Sequence, residues 1–227
     1  MKKLVILTGA GISAESGIKT FRDSDGLWEG HDVMEVASPE GFAANSELVL
    51  DFYNQRRKQL LAVSPNKGHF NLVALEKYFD VEIITQNVDD LHERAKSTKI
   101  THLHGELLKV RSSDDENIVL DWKKDLNLGH LCTKGSQLRP HVVWFGEMVP
   151  MLDKAIEITR KANILVIIGT SMQVYPAASL INHIKPNIPI YFIDPKPSVS
   201  KNEFNNLTII KDVASTGTDK LIALLNS

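Results

Sequence analysis

The sequence lacks the features that mark secreted, membrane-spanning or nucleic-acid-binding proteins. It contains one cysteine, Cys132, so no disulfide can form within the chain, and we expect a reducing, cytoplasmic setting. Its apolar runs, such as ILVIIG at 164–169, are too short to span a bilayer. The formal net charge is −2, which gives no electrostatic reason to expect nucleic acid or a membrane surface as a partner.

The sequence does contain a regular alternation of short apolar runs and helical patterns. Its 227 residues are enough for a buried core. Continuous apolar runs predict strands covered on both faces at 4–7, 81–85, 141–145, 164–169 and 188–193, with weaker candidates at 100–104 and 207–211. Helical patterns lie between them at 46–63, 67–79, 88–96, 152–162, 175–184 and 218–225. This order predicts an α/β fold with a Rossmann-like, doubly wound parallel sheet.

Two stretches break this alternation and predict a smaller lobe. Residues 31–80 are mostly helical and too long for one crossover, and residues 111–138 are polar without a strong period. We therefore expect a single domain over 1–227. Its core would come from about 1–30, 81–110 and 139–227, and its small lobe from the two insertions.

The first predicted strand runs into GAGISA at 9–14, which fits the dinucleotide-binding pattern G-x-G-x-x-A. In that pattern Gly9 would make the tight turn and Gly11 would let the backbone approach a pyrophosphate. The acidic residue that ordinarily follows a second strand about 20 residues later has no counterpart, because that distance falls in the loop-like FRDSDGLWEG. This loop is either a lid over a bound dinucleotide or a surface loop with solvated charges.

Polar side chains also follow other predicted strands, at the edge where open α/β sheets bind ligands. Gln86, Asn87 and Asp89 come after the second strand, although Asn87 or Asp89 could instead cap the following helix. The hydroxyl groups after Gly169 could contact a ribose or a phosphate. The carboxylate of Asp194 could accept hydrogen bonds from ribose hydroxyls.

Two histidines stand two residues apart in THLHGE. If this segment is a strand, His102 and His104 share one face and lie beside the same crevice. A histidine titrates near neutral pH and suits a general base, but a lone histidine is more often structural.

Two further segments carry side chains that suit a peptide substrate. Tyr53 and Arg56 are three residues apart on a predicted helix, so they could grip a carboxylate together or belong to a solvated face. The run RPHVVWFGE at 139–147 could be a core strand or could receive an extended peptide along a free edge.

Five ordered stretches, GAGISAESGIKTFR, TQNVDDLH, HLHGEL, RPHVVWFGE and GTS, resemble the sirtuins, a family of NAD-dependent protein-lysine deacylases. The likeness spans nearly the whole chain. The pair Tyr53 and Arg56 further resembles the sirtuin class that removes succinyl or malonyl groups besides acetyl. The resemblance implies acyl-lysine proteins or peptides as substrates and the release of nicotinamide and O-acyl-ADP-ribose. We expect a monomer; a mono-ADP-ribosyltransferase and a non-catalytic NAD-sensing module are the alternatives.

The resemblance also implies roles for individual residues. His104 matches the catalytic general base, and Asn87 would act beside it. NAD would be held by Gly9, Ala10, Gly11, Ile12, Ser13, Phe21, Arg22, Trp28, Gln86, Asn87, Asp89, Gly169, Thr170, Ser171, Asp194 and Ala214. The substrate would contact Tyr53, Arg56, Val143, Phe145, Gly146 and Glu147. The family usually has asparagine where Asp194 stands, which replaces a donor-and-acceptor amide by an acceptor.

One departure from the family pattern concerns metal. Sirtuins generally carry a structural zinc on four cysteines, and residues 111–138 occupy that place. Only Cys132 and His130 are plausible ligands there, whereas structural zinc needs about four nitrogen or sulfur ligands in paired spacing. We therefore expect no zinc and an insertion that holds by packing through Ile118, Leu120, Trp122 and Leu126.

Overall fold

The chain folds into alternating strands and helices. The computed structural model describes residues 1–19, 27–199, 204 and 206–226, so Phe21 and Arg22 lie outside the described part. In that part the strands are β1 (Lys3–Thr8), β2 (Leu27–Trp28), β3 (His31–Asp32), β4 (Asp80–Thr85), β5 (Ile100–His102), β6 (Gly105–Ser112), β7 (Val119–Asp121), β8 (Leu138–Val142), β9 (Ile164–Ile168), β10 (Ile190–Ile193) and β11 (Leu207–Ile210). The α-helices are α1 (Val33–Val36), α2 (Pro39–Ala44), α3 (Ser46–Ala62), α4 (Lys67–Leu75), α5 (Leu91–Ala95), α6 (Leu152–Arg160) and α7 (Ala214–Leu225). Short 3-10 helices cover Ala10–Ile12, Ala14–Ser16 and Ala177–His183.

Six of these strands form one large sheet. Its order is β11-β10-β9-β1-β4-β5, and every neighbouring pair is parallel. Read from the β5 edge, this is the order that defines the doubly wound dinucleotide-binding fold. The topology reverses between β1 and β9, and folds of this kind bind ligands beyond the carboxyl ends of the strands at that point. The predicted α/β, Rossmann-like sheet is confirmed.

Both faces of the large sheet are covered, which explains why its strands are continuous apolar runs. Successive side chains of a strand point to opposite faces. In β1, Leu4 and Ile6 pack on one side with residues of α4 and α7, whereas Val5 and Leu7 pack on the other side with α6. Helix α4, although it belongs to the segment 31–80, therefore contributes to the core of the large sheet.

The predicted core strand at 141–145 is wrong. The strand there is β8, which ends at Val142 and pairs antiparallel with β6 rather than joining the parallel sheet; β6 also pairs antiparallel with β7. Gly105 permits this pairing, because it has a φ of +82° and a Cβ there would lie 2.1 Å from the carbonyl oxygen of His141. The apolar character of the run serves the small lobe instead, since Val142 and Trp144 are buried against α3.

Several predicted helices have different bounds in the structure. The pattern at 218–225 is the end of α7, which begins at Ala214, where the Ser215 N–H donates to the carboxylate of Glu15 at 2.9 Å. This is an N-terminal cap from a residue remote in the sequence. The pattern at 88–96 yields only the short α5, and 175–184 forms a 3-10 helix. Within the described ranges, no helix is both long and apolar enough to cross a membrane.

The smaller lobe is built around two apolar clusters. One joins α3 to β6 and β8, and the other joins α3 to the insertion 111–138. Of the residues expected to hold that insertion, Leu126 is fully buried, Ile118 and Trp122 are partly buried, and Leu120 is exposed. The expectation for Leu120 is therefore wrong, and the division of the chain into core and lobe segments stays a prediction.

Candidate active site

The turns that follow β1 and β9 are in direct backbone contact where the sheet topology reverses. The Gly9 N–H donates to the carbonyl of Ile168 at 3.0 Å, and the Gly11 N–H donates to that of Gly169 at 2.8 Å. A Cβ at Gly11 would lie 2.5 Å from the Cα of Gly169, which itself has a φ of +63°. Both positions therefore require glycine. The crevice has a floor of bare backbone, which is what close approach of a pyrophosphate needs.

A buried polar network connects the glycine-rich turn to the end of β4. The Ser13 hydroxyl donates to the carboxylate of Asp89 at 2.9 Å and accepts from the Asn87 amide at 3.2 Å. Burial raises the pKa of Asp89 above its ordinary value, although hydrogen bonds from the Leu91 N–H and from Ser13 oppose the shift. Asp89 also accepts from the N–H of Leu91, the first residue of α5, at 3.1 Å, although the N-cap position itself is Asp90. Asn87 is not the helix cap.

His104 is held as a neutral ring with one basic nitrogen. Its Nδ1 lies 2.9 Å from the carbonyl oxygen of Gln86, and a carbonyl can only accept, so Nδ1 carries the proton. Burial lowers the pKa of His104, and the hydrogen bond to Gln86 opposes that shift only in part. The Nε2 atom is therefore left with its lone pair at neutral pH.

His102, two residues earlier, carries a proton on both ring nitrogens. Its Nδ1 lies 3.1 Å from the carbonyl oxygen of Asn87 and its Nε2 lies 2.7 Å from the carboxylate of Glu93. Both partners are acceptors, so both ring nitrogens donate. Burial by itself would lower the pKa of His102, but the hydrogen bond and charge of Glu93 outweigh it and raise the pKa. The structure thus separates two histidines that the sequence pattern leaves equivalent.

The GTS segment after β9 is tied to the end of β4. The Gln86 amide donates to the Thr170 hydroxyl at 3.1 Å, and that hydroxyl also accepts from the Met172 N–H at 3.2 Å. Asp194, at the end of β10, is 2 % exposed, and its carboxylate accepts from the Lys196 N–H at 2.8 Å. Gln86 and Thr170 therefore meet across the crevice, whereas Asp194 closes its own turn.

The start of α7 is connected to the glycine-rich turn through one side chain. Glu15 accepts from both the N–H and the hydroxyl of Ser215, at 2.9 and 2.5 Å. The preceding residue, Ala214, is buried at 4 % exposure. This contact holds the two segments together across a separation of about two hundred positions in the chain.

Tyr53 and Arg56 lie on α3 in the small lobe. The Tyr53 side chain is 1 % exposed, its hydroxyl accepts from the indole N–H of Trp144 at 2.9 Å, and burial raises its pKa. The guanidinium carbon of Arg56 lies 4.9 Å from the centroid of the Phe52 ring, and the Arg56 Nε is buried without a hydrogen-bond partner among the described residues. Trp28 packs edge-on against Phe52 at 4.9 Å, so it belongs to the same apolar cluster.

The segment 143–147 follows β8 as a turn. The N–H groups of Val143 and Phe145 donate to the carbonyls of His104 and Ala37, each at 2.9 Å. Gly146, with a φ of +89°, then reverses the chain. Those two N–H groups are bonded within the chain, so a peptide strand that pairs with this segment would have to use other backbone groups.

Polar side chains and backbone groups close the insertion 111–138. The Cys132 sulfur accepts from the Lys134 N–H at 3.4 Å, and the Lys134 ammonium pairs with the Asp115 carboxylate at 2.6 Å. The Nδ1 of His130 already accepts from a backbone N–H at 2.9 Å. In the part of the chain that the structure describes, no group of three or more His, Cys, Asp or Glu residues is placed to hold a metal ion.

The strand order and the paired glycine turns define a dinucleotide-binding α/β protein. The model for the Sir2 family matches residues 9–176, which carry both glycine turns, the Ser13 network and both histidines. The chain belongs to the Sir2 family.

Known relatives agree with this assignment. The chain is 67 % identical over 196 residues, 86 % of each chain, to an "NAD-dependent protein deacylase" of Helicobacter pylori. It is 51 % identical over 231 residues to a protein of the same name from Bacteroides thetaiotaomicron, covering 99 % of this chain and 98 % of that one. Among solved structures, it resembles a Sir2 homolog–NAD complex with a TM-score of 0.88 and 40 % identity, covering 99 % and 90 % of the two chains. A Sir2 mutant with a p53 peptide and NAD gives a TM-score of 0.79 at 26 % identity, covering 98 % and 93 %.

Sequence reasoning does not single out three residues that shape this site. Glu93 holds His102, Trp144 holds Tyr53, and Arg139 packs its guanidinium on the Trp144 ring at 3.3 Å. Glu93 and Trp144 act on partners from other elements, so no local spacing marks them. Arg139 and Trp144 do stand in the quoted run 139–147, where the alternation of a cation and an aromatic ring is the available signal.

Proposed function

We propose that this chain removes succinyl and malonyl groups, as well as acetyl groups, from lysine side chains of proteins. The chain is an NAD-dependent protein deacylase, so the proposal concerns which acyl group it takes. Arg56 carries the proposal, because its Nε is buried without a partner and no carboxylate in the described ranges pairs with it. A buried N–H donor without an acceptor is unfavourable, and the carboxylate of a succinyl or malonyl group would supply both an acceptor and a counter-charge.

Tyr53 lies one helical turn before Arg56 and adds a second donor. Arg56 would bind the acyl carboxylate through two N–H groups, and the Tyr53 hydroxyl would donate to the same carboxylate. An acetyl group has no carboxylate, so it would use only the apolar surroundings formed by Phe52 and Trp28. The pair would therefore discriminate between acyl groups rather than support every reaction equally.

The crevice at the end of β1 fits NAD on its own geometry. A Cβ at Gly9, Gly11 or Gly169 would clash with the facing turn, so both turns consist of bare backbone, which is what a pyrophosphate approaches closely in this fold. We propose the residues implied by the family likeness: 9–13, Gln86, Asn87 and Asp89 on one side, and 169–171, Asp194 and Ala214 on the other. Bound NAD supplies a ribose carbon that the acyl-lysine oxygen can attack as nicotinamide leaves.

His104 would serve as the general base of this reaction. Its Nδ1–H is fixed on the Gln86 carbonyl, so Nε2 is free to take a proton from a ribose hydroxyl. His102 cannot take that role, because both of its nitrogens already donate. Asn87, whose amide donates to Ser13, would orient the ribose beside the base.

We also propose that the insertion 111–138 folds without zinc. The donor set does not fit a structural zinc site: it offers one thiol, Cys132, and one imidazole, His130, whose Nδ1 already accepts from its own loop. The Lys134 ammonium pairs with the Asp115 carboxylate at 2.6 Å and connects the two halves of the insertion. The chemistry described above needs no residue of this insertion.

The experiment is a comparison of one peptide carrying succinyl-, malonyl-, acetyl- or unmodified lysine. The purified chain is incubated with each peptide and NAD, and nicotinamide and deacylated peptide are quantified together. Stoichiometric release with the acidic acyl peptides supports the proposal, and release with acetyl alone overturns the acidic preference.

We further propose that the chain acts as a monomer in the cytoplasm on acylated proteins.

A further inference from the structure

Trp144 contacts one residue through its indole N–H and another through the face of its ring. Its indole N–H donates to the Tyr53 hydroxyl at 2.9 Å, and the guanidinium carbon of Arg139 lies 3.3 Å from the centroid of its ring. Trp144 is 2 % exposed and Tyr53 is 1 % exposed, so the bond between them is shielded from water. A hydrogen bond between two such groups fixes the orientation of both.

A cluster of charged groups, Glu147 with Arg139 and Arg111, holds Trp144 in place. The Glu147 carboxylate accepts from the backbone N–H of Trp144 at 2.8 Å and from both terminal nitrogens of Arg139 at 2.7 and 3.0 Å. Arg111 donates to the same carboxylate at 2.9 and 3.1 Å. Burial by itself would raise the pKa of Glu147, but the hydrogen bonds from Arg139 and from the Trp144 backbone N–H, together with the charges of Arg139 and Arg111, outweigh burial and lower it. The carboxylate therefore stays charged and holds the Arg139 guanidinium against the Trp144 ring.

The Tyr53 hydroxyl accepts a hydrogen bond but does not donate one within the described ranges. Its oxygen accepts from the indole N–H of Trp144, and its proton donates to no group in the ranges that the structure describes. A buried hydroxyl that donates no hydrogen bond is unfavourable, so this hydroxyl proton is available to donate to a ligand. Arg56, also with an unpartnered nitrogen, lies one turn further along α3.

We propose that Trp144 is a positioning residue of the acyl site: by donating to Tyr53 it makes the Tyr53 hydroxyl donate toward the acyl carboxylate. The inference rests on the proposed preference for acidic acyl groups. Trp144 does not touch the substrate in this account, and Glu147 with Arg139 keeps it in place. Removing the indole N–H frees the Tyr53 hydroxyl to rotate, which weakens binding of a succinyl group more than that of an acetyl group.

The test is a double-mutant cycle on acyl selectivity. Wild type, Trp144→Phe, Tyr53→Phe and the double variant are assayed with succinyl- and acetyl-lysine peptides at saturating NAD. Trp144→Phe keeps an aromatic ring but loses the N–H, and we expect it to lower the succinyl-to-acetyl ratio of kcat/KM about three- to tenfold, through KM. In the Tyr53→Phe background the same change should lower the ratio no further, because the hydroxyl it orients is absent.

The control is Trp122→Phe, which removes an indole N–H that donates to the Asp125 carbonyl within the insertion. It should leave the acyl ratio unchanged. Independently of turnover, the indole proton signal assigned to Trp144 should move upfield in Tyr53→Phe, because its acceptor is lost.

An additive cycle, or a Trp144 signal that does not move, overturns the positioning role while the acidic preference of the wild type stands. A wild type that takes acetyl but not succinyl peptides overturns the preference and the positioning role together.

Discussion

The Nδ1 atom of His104 lies 2.9 Å from the carbonyl oxygen of Gln86, and this contact decides which ring nitrogen is basic. The carbonyl can only accept, so the proton stays on Nδ1 and the lone pair is on Nε2. His104 comes two residues after the end of β5, and Gln86 comes directly after the end of β4. The pairing of these two strands therefore places a base at the crevice.

The pH dependence of turnover should report this base. Burial lowers the pKa of His104 below 6.5, and the ring acts as a base only when neutral. The acid limb of kcat/KM should therefore fall with an apparent pKa below 6.5. His104→Gln should lower kcat about 10²- to 10⁴-fold without changing the melting curve by more than a few degrees. An acid limb centred above 6.5, or substantial activity in the variant, would contradict this assignment.

Arg56 should control the acyl group rather than the reaction. Arg56→Met keeps the length and apolar stem of the side chain but removes the cation. A hydrogen bond to a charged group contributes about 1.5–3 kcal/mol, so kcat/KM for succinyl-lysine peptide should fall about 10- to 100-fold while that for acetyl-lysine changes little. Lys58→Met is the matched control, since Lys58 lies on the same helix and pairs with Asp125. Equal losses on both peptides would refute the role.

The contact between the two glycine turns should be intolerant of any side chain. In Gly11→Ala the added carbon would lie 2.5 Å from the Gly169 Cα, so the turns must separate. We expect a loss of about 1–3 kcal/mol in stability and a clear weakening of NAD binding, measured by denaturation and by calorimetric titration. Gly129→Ala is the control: its φ is +86° but nothing lies within 4 Å, so only backbone strain is added and NAD binding should be unchanged. Unchanged NAD binding in Gly11→Ala would disprove the role of the paired glycine turns in binding NAD.

Two buried histidines should make the fold sensitive to acid. The rings of His69 and His92 are unexposed and 5.0 Å apart, and burial lowers the pKa of His69 to about 4 and that of His92 well below 6.5. Between about pH 6.5 and the lowered values, the unfolded chain binds protons that the folded chain does not. The free energy of unfolding should therefore decrease as the pH falls through this window.

Denaturant titrations at pH 7 and pH 5 measure that sensitivity. Replacing His69 by glutamine should reduce the difference between the two pH values by about 1.5 kcal/mol, because one depressed titration is removed. A variant that loses stability equally at both pH values, with the wild-type difference retained, would show that His69 does not titrate in this way.

Metal analysis should find no zinc in the insertion. The protein purified from zinc-supplemented medium should carry far less than one zinc per chain, and a chelator should leave its melting temperature unchanged. Both follow because the insertion offers one thiol, Cys132, and one imidazole, His130, where a structural zinc needs about four ligands. Stoichiometric zinc, or unfolding on chelation, would overturn the proposal.

The large sheet can be predicted well from the sequence, because strands that are buried on both faces have continuous apolar runs of residues. The same reasoning fails at 141–145, since Val142 and Trp144 are apolar for the sake of the small lobe and not of the sheet. Periodicity reports that a side chain is buried, but it does not report against which element. The prediction of where α7 begins fails for a related reason, because the residue that caps it, Glu15, comes from the other end of the chain.

The site residues show the same division. The glycines at 9, 11 and 169 are visible as a pattern because close backbone contact tolerates nothing else. The protonation of His102 and His104 is invisible, because it depends on Glu93 and on two backbone carbonyls. The link from Trp144 to Tyr53 is likewise a tertiary contact across 91 positions.

We propose that Arg56 and Tyr53 give this Sir2 deacylase its preference for acidic acyl groups. The most direct test is the ratio of kcat/KM for succinyl-lysine over acetyl-lysine on one peptide sequence, with the wild-type chain and NAD. We expect a ratio above one, with one nicotinamide released per succinyl group removed. A ratio well below one, with normal acetyl turnover, would contradict it.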